Sequence, residues 1–579
     1  MKIFKFFPLA CAALMMCACS SDDPGEGKGN PNVAGEAQYL AVNIVNVGTT
    51  PTRAEVYENG TDDENKINTI RFYFFHADGS PYVLTNTDET TTKADVNWLE
   101  KTDPTTTAPT PAGQGTVDKV TEAVLVIQGK SLAAPATMVA VINPETLKDN
   151  ATLNNNGTVT LSELRDSKFD TQFYKLEAGT NKAFVMTNSV YREGGNTICP
   201  TLVSGHLETS DLAAKANPVN IYVERVAAKV SAKVDDNNLK LGHGTDWATD
   251  QYGMEVGTFG KSTKIYAVIE GWGVADENSQ AMLEKQIDAT WTNASLGITP
   301  WNTADYHRSF WETMKPAVGT DIYKKANHSF NQYTNKIANN FTNITYTLPN
   351  TTQTVVSDVY NDNNLTKFLV AATLKYYDGT NWRNADICRY RGIEYMGGEA
   401  KLKEVVAATY NKYYTKNTTT GEYEPLAASD IKFDYARSVE NTSAKKVEDC
   451  QMVPTLVDVT KVYYTKNVSG TGYTPVADYK IVVKDIEMYP ADIRVNGKTY
   501  YYVPIRHLGA AATNPAYYGV VRNHYYQINL QSLKGFGSSV YNPDKEIIPV
   551  IPAEETSYLA AQINVLQWRV VSQDVNLGK

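Results

Sequence analysis

Gln38-Tyr39-Leu40-Ala41-Val42-Asn43-Ile44-Val45-Asn46 is the stretch on which the architecture of this chain turns. Leu40, Val42 and Ile44 alternate with Tyr39, Ala41, Asn43 and Val45, so a period of two places the first set on one face. The pattern predicts a strand with that face in a core. Its flanks are unlike a core. Upstream, residues 23–35 are rich in Gly, Pro and Asn and read as a flexible tether. Downstream, Gly48-Thr49-Thr50-Pro51-Thr52-Arg53-Ala54-Glu55 is a small-residue loop with one arginine, the kind of segment where proteolytic nicking concentrates. Read alone, Arg53 is an ordinary surface residue. Its weight comes from position, because a cut between Arg53 and Ala54 would detach the strand and everything before it.

The residues before the tether predict an export signal. Lys2 and Lys5 supply positive charge, and Phe6, Phe7, Leu9, Leu14, Met15 and Met16 form an apolar run too short to span a bilayer. In Met16-Cys17-Ala18-Cys19, a small residue precedes Cys19 and Ser20-Ser21-Asp22-Asp23 follows, as in a lipoprotein signal cut before an acylated cysteine. Cys19 is therefore the expected lipidation site, and Cys11 and Cys17 would leave with residues 1–18. An ordinary secretory signal with incidental cysteines is the alternative. The serine and acidic residues after Cys19 resemble the surface-export signal of Bacteroidota lipoproteins, which implies a position outside the outer membrane.

Composition bounds the rest. A chain of 579 residues, 42% hydrophobic and 11% aromatic, is long enough for more than one core. Its 37 tyrosines, abundant Thr, Val and Asn, and short runs punctuated by Gly and Pro favour β structure over helix. A formal net charge of −10 without a basic block argues against nucleic acid as a partner. After Cys19 only Cys199, Cys388 and Cys450 remain, so no disulfide framework is indicated, although one bridge stays open.

Strand-length apolar runs recur: Ile70-Arg71-Phe72-Tyr73-Phe74-Phe75, Ala123-Val124-Leu125-Val126-Ile127, Met138-Val139-Ala140-Val141-Ile142 and Phe184-Val185-Met186. They predict one β-sandwich, with residues 85–116 as a long surface loop. A second series begins near Asn217-Pro218, the expected domain boundary. Residues 221–234 read as one long strand, followed by Ile265-Tyr266-Ala267-Val268-Ile269, Leu369-Val370-Ala371-Ala372-Thr373-Leu374 and Tyr525-Tyr526-Gln527-Ile528-Asn529-Leu530.

The second half also contains a duplication. Tyr413-Tyr414-Thr415-Lys416-Asn417 precedes Gly421-Glu422-Tyr423-Glu424-Pro425, and Tyr463-Tyr464-Thr465-Lys466-Asn467 precedes Gly472-Tyr473-Thr474-Pro475. Each copy predicts a β-hairpin, read as decoration of a sheet edge or as a tyrosine-bearing adhesion surface. Catalytic patterns are not found. The seven histidines show neither HExxH nor another metal-ligand spacing. There is no Gly-x-Ser-x-Gly elbow or phosphate loop. His243-Gly244-Thr245-Asp246 reads as a turn, and Asp358-Val359-Tyr360-Asn361-Asp362-Asn363-Asn364 lacks the spacing and glycine of a calcium loop. The expectation is no enzyme, no cofactor and no metal.

At the C-terminus, residues 542–552 form a proline-punctuated linker. Beyond it Leu559, Ala561, Ile563 and Val565 alternate on one face, then Leu566, Trp568 and Val570 on the other. Taken by itself, this last strand reads as folding back to complete its own sandwich.

Together these features resemble the fimbrillins, or type V pilins, of Bacteroidales, in particular the shaft subunits of short, minor-type fimbriae. The resemblance is carried by Val223-Glu224-Arg225-Val226-Ala227-Ala228-Lys229-Val230, Tyr306-His307-Arg308-Ser309-Phe310-Trp311, Val521-Arg522-Asn523-His524-Tyr525-Tyr526-Gln527-Ile528 and Val565-Leu566-Gln567-Trp568-Arg569-Val570. The duplicated hairpins have no counterpart in that pattern. The resemblance implies an all-β chain of two transthyretin-like β-sandwich domains with long loop insertions: a signal peptide at 1–18, a propeptide at 19–53, sandwiches at 54–217 and 218–541, and a linker with donor strand at 542–579. It also implies an outer-membrane lipoprotein precursor that an extracellular arginine-specific protease cuts between Arg53 and Ala54. Loss of the first strand, with Leu40, Val42 and Ile44, would open a groove. Ile563, Val565, Leu566, Trp568 and Val570 of another copy would fill it, building a head-to-tail polymer with accessory fimbrial subunits. The alternatives are a tip or anchor subunit, or a surface lipoprotein that does not polymerise and binds glycan or host protein.

Overall fold

The computed structural model describes residues 38–47, 60–85, 95–104, 106–107, 117–129, 133–147, 150–170, 183–188, 191–193, 196–198, 200–241, 251–285, 325–350, 365–436, 451–507, 519–547, 558–566 and 571–572. Strands dominate, as the β-rich composition requires, and the chain has the all-β fold expected of it.

The N-terminal part is built on one nine-stranded sheet. Its central run is Thr69–Phe75, Thr137–Ile142, Met186–Asn188, Val219–Arg225, Gln38–Val47 and Val117–Ile127. The sheet wraps around a single core in which Leu40, Val42 and Leu125 join Phe72, Leu99, Ile142 and Val223. Residues 85–116 are not wholly a loop. Within them Trp98–Thr102 pairs with Thr69–Phe75, because Val96, Trp98 and Leu99 supply enough apolar side chain to bury, and Thr106–Thr107 adds a short edge.

The long run at 221–234 is two strands rather than one. Val219–Arg225 ends, the chain turns through Val226 and Ala227, and Ala228–Val234 starts in a different sheet. Val226 and Ala227 belong to the first core and Ala228 and Val230 to the second, so this crossing carries the chain between cores. The second core lies between a five-stranded sheet containing Ala228–Val234 and Tyr525–Lys534 and a six-stranded sheet containing Thr263–Ala275, Lys367–Tyr377 and Lys498–Pro504. Alternation explains the layer: Val230 and Ala232 on one sheet meet side chains such as Ile265, Val370 and Tyr501 from the other.

A third core was not apparent from the sequence. Residues 388–493 collect Cys388, Leu402, Val406, Tyr413, Tyr463, Val482 and Ile486 around the helices Gly398–Thr409 and Tyr479–Ile486. Glu399-Ala400-Lys401-Leu402-Lys403-Glu404 are good helix formers, and Leu402 and Val406, four apart, share the buried face. The two tyrosine hairpins therefore do more than decorate an edge. Tyr413–Lys416 pairs antiparallel with Tyr463–Lys466, making one four-stranded sheet with approximate twofold symmetry.

Candidate assembly site

Gln38–Val47 occupies a slot between two strands. On one side it runs antiparallel to Val117–Ile127, with Leu40 opposite Leu125 and Val42 opposite Ala123. On the other it runs parallel to Val219–Arg225, from Val42 opposite Val219 to Asn46 opposite Val223. Among the described residues it is the sole ladder partner that joins those two strands. Leu40 and Val42 are completely buried, and Ala41 on the opposite face is also covered. Ile44 lies in the strand in register with Thr121 and Ile221. Cys19, Arg53 and Ala54 lie outside the described residues.

The slot has a definite width. Adjacent strands stand about 4.8 Å apart, so Val117–Ile127 and Val219–Arg225 are separated by about 9.6 Å with one strand between them. Without that strand both neighbours would present unpaired edge groups and the core would lose its Leu40 and Val42 side chains. Such an opening accepts one extended segment with apolar side chains at alternate positions.

The last strand is held differently. Tyr558–Leu566 pairs antiparallel with Tyr525–Lys534, placing Ile563 opposite Ile528, Val565 opposite Tyr526 and Leu566 opposite Tyr525. Among the described residues, its outer side pairs with the two-residue strand Val571–Ser572. It thus completes its own sheet near an edge, as the local pattern taken alone predicts. Trp568 and Val570 lie outside the described residues. Part of the linker is anchored, since Ile547 is buried and its amide donates to the His328 carbonyl at 2.9 Å.

The quoted Glu-Arg-x-x-Ala-Lys and Arg-Asn-His-Tyr-Tyr motifs meet at the crossing between cores. Arg225 Nε donates to the Glu64 carbonyl at 2.8 Å and Nη1 to Asn523 Oδ1 at 3.0 Å, while Nη2 donates to Asn65 Oδ1. Lys229 Nζ lies 3.1 Å from Glu64 Oε1, and both side chains are almost fully buried. Tyr346 donates its hydroxyl to the same carboxylate at 2.6 Å. Burial pushes the Glu64 carboxyl up, but the Lys229 ammonium, the Tyr346 hydroxyl, the Arg225 guanidinium and the Thr61 amide together hold it below the usual range. Arg522 donates from Nη1 to the Leu283 carbonyl and from Nη2 to the Met282 carbonyl, at 2.9 and 2.8 Å. Asn523 sits at φ 57°, a left-handed conformation that asparagine tolerates, and its amide donates to the Ala227 carbonyl. Glu64 escaped sequence reasoning because Thr61-Asp62-Asp63-Glu64-Asn65-Lys66 has the composition of a solvated turn.

Four tyrosines mark the hairpin sheet. Tyr423 and Tyr473 stack with centroids 4.3 Å apart, and Tyr414 and Tyr464 meet them edge-on at 4.8 and 4.9 Å. All four are half-buried.

Among the described residues no group of three or more His, Cys, Asp or Glu is arranged to hold a metal ion, and no helix is long and apolar enough to cross a membrane. Residues 243–246, 306–311 and 358–364, Cys199 and Cys450 lie outside the description. Cys388 is buried and free.

Residues 494–574 match the family described as "Major fimbrial subunit protein type IV, Fimbrillin, C-terminal". The matched span contains both Tyr525–Lys534 and Tyr558–Leu566. No curated protein matches the chain. Similar solved structures include a protein from Bacteroides eggerthii DSM 20697 provisionally described as a cell adhesion protein, at 12% identity and TM-score 0.33, covering 95% of this chain and 100% of that one. A fimbrial assembly protein from Parabacteroides distasonis ATCC 8503 has 9% identity and TM-score 0.24, covering 76% and 100%. The tip fimbrial protein Mfa3 from Porphyromonas gingivalis, with C-terminal truncation, has 9% identity and TM-score 0.28, covering 91% and 99%. At scores this low the solved structures carry no argument, and the match that stands is that of residues 494–574 to the C-terminal region of a fimbrial subunit family.

Proposed function

We propose, from a C-terminal region of fimbrillin type, that the chain is a shaft-type fimbrial subunit that polymerises by strand exchange after proteolysis. The observation that carries this reading is the placement of Gln38–Val47 as the single ladder strand between Val117–Ile127 and Val219–Arg225. A precursor lipidated at Cys19 would keep that slot filled until an arginine-specific protease cuts after Arg53. The strand then leaves, and the C-terminal strand of another copy takes its seat.

The energetics favour the exchange. Tyr558–Leu566 has one long ladder partner in its own chain, whereas the slot offers one on each side. The five residues paired on the parallel side supply several additional hydrogen bonds, each contributing about 1 kcal/mol net. Burying core-facing side chains of the donor strand such as Ile563 and Val565 contributes about 1.5 to 3 kcal/mol each before ordering costs. The ten residues 548–557 between anchored Ile547 and Tyr558 span up to roughly 35 Å when extended, which sets the reach of the donor strand from its own subunit. A contact of this head-to-tail kind need not close, so it generates a filament. Division into sandwiches at 54–217 and 218–541, with residues 542–579 as linker and donor, belongs to the same proposal.

The test is electron microscopy of the purified precursor before and after limited digestion with an arginine-specific protease, with the new N-terminus sequenced. Filaments that form only after cleavage to Ala54 are expected. Clean cleavage without assembly favours the second reading, a monomeric surface protein that binds glycan or host protein. The back-folded Tyr558–Leu566 strand and the tyrosine sheet are the features that support it.

A further inference from the structure

The slot-filling strand and the C-terminal strand share a six-residue pattern. Tyr39-Leu40-Ala41-Val42-Asn43-Ile44 and Tyr558-Leu559-Ala560-Ala561-Gln562-Ile563 are identical at Tyr, Leu, the first Ala and Ile, and the two remaining pairs are Val with Ala and Asn with Gln. No other part of the two strands matches in phase: Val45-Asn46-Val47 continues the first and Asn564-Val565-Leu566 the second. Both segments are strands, and each pairs antiparallel with its long neighbour.

We infer that Tyr558-Leu559-Ala560-Ala561-Gln562-Ile563 mimics Tyr39-Leu40-Ala41-Val42-Asn43-Ile44 of the first strand, and that this mimicry sets the register in which a second subunit enters the slot. The inference rests on the strand-exchange reading. Leu559 takes the seat of Leu40 opposite Leu125, Ala561 that of Val42 opposite Ala123 and Val219, and Ile563 that of Ile44 opposite Thr121 and Ile221. Because the match runs in the same chain direction, the incoming strand lies antiparallel to Val117–Ile127 and parallel to Val219–Arg225. A shift by one residue would turn Leu559 and Ile563 away from the core, and a shift by two would put Gln562 out of step with the Asn43 position.

The mimicry is imperfect at one informative place. Val42 is completely buried, and Ala561 brings a smaller side chain to that seat. The donor therefore underfills the slot there, and a larger side chain is expected to improve the fit.

Register is read by cross-linking. In the first strand Asn43 faces Glu122, so in the polymer Gln562 would face Glu122 of the next copy. Directly opposite residues have Cα atoms about 4.5 to 5.5 Å apart, within reach of a disulfide, whereas a diagonal neighbour two residues away lies about 8 Å off and out of reach. Chains carrying Glu122→Cys together with Gln562→Cys, Ala560→Cys or Asn564→Cys are matured by the protease and oxidised. Ladders of covalent oligomers are expected from the Gln562→Cys pair alone. Filaments that link instead through position 560 or 564 overturn the register while leaving strand exchange intact. If the unmodified matured chain forms no filaments, strand exchange itself fails and the register with it. As an independent readout, Ala561→Val is expected to make assembled filaments roughly tenfold more resistant to dissociation. Unchanged or weakened filaments would show that Ala561 does not occupy the Val42 seat.

Discussion

Leu40→Ala separates a strand that plugs the precursor from one that is part of the final fold. Leu40 is completely buried in the N-terminal core, opposite Leu125. Truncation removes three carbons, worth about 0.8 kcal/mol each, or about 2.4 kcal/mol of transfer free energy. A residual cavity brings the total to about 3 kcal/mol, within the range for buried leucines. With a urea dependence of about 2 kcal/mol per molar, the midpoint of the N-terminal transition in the precursor should fall by about 1.5 M. The assay is urea unfolding of wild type and variant, first as precursors and then as protease-matured filaments. In the matured material the substituted residue has gone with residues 19–53, so the two midpoints should coincide. An equal loss before and after maturation would show that the strand is retained, refuting its role as a removable plug. No loss in the precursor would refute its placement in the core.

Other outcomes follow from the same geometry. Arg53→Ala should leave uncut monomers, while deletion of residues 559–579 should permit cutting but stop chain growth; micrographs showing filaments of either variant would sink strand exchange. Lys229→Met should destabilise the chain by about 3 to 5 kcal/mol in thermal or denaturant unfolding, since it leaves the buried Glu64 carboxylate without its ammonium partner. The Glu64 carboxyl is held below its unfolded value, so its stabilisation is present above about pH 4.3 and is lost as pH falls through the lower folded value. Glu64→Gln should therefore flatten that acid limb of the stability profile, and an unchanged limb would assign it to other carboxylates. Burial pushes the Cys388 thiol up to about 11, so alkylation at pH 8, followed by mass spectrometry, should require unfolding. A double-mutant cycle on Tyr423→Ala and Tyr473→Ala should give a coupling of about 1 kcal/mol, and additive losses would mean that the stacked pair contributes only area.

Much of the β architecture was legible because its signal is local. Thr69–Phe75, Thr137–Ile142 and Lys367–Tyr377 each contain a run predicted from β-branched and aromatic residues at strand length. The failures share a cause. Residues 221–234 hold no Gly or Pro to mark a break, and the change of sheet at Val226 and Ala227 shows only as a shift of phase, from Ile221 and Val223 to Val226, Ala228, Val230 and Ala232. Trp98–Thr102 was hidden inside a stretch whose overall composition is that of a loop. The third core escaped because its members come from segments as far apart as Cys388 and Ile493, each too short or too polar to announce a core alone.

The candidate site divides in the same way. Alternation along residues 38–47 and 558–566 identified two strands with apolar faces, because side-chain direction in an extended chain depends only on parity. It could not say which strands flank them, since pairing is a choice among distant partners of similar propensity and the tertiary fold makes that choice. Only the structure places Gln38–Val47 inside a sheet and Tyr558–Leu566 on the side of another. Glu64 is the plainest case. Its sequence neighbours are those of a solvated turn, and what makes it a buried partner is the convergence of Lys229, Arg225 and Tyr346 from far along the chain.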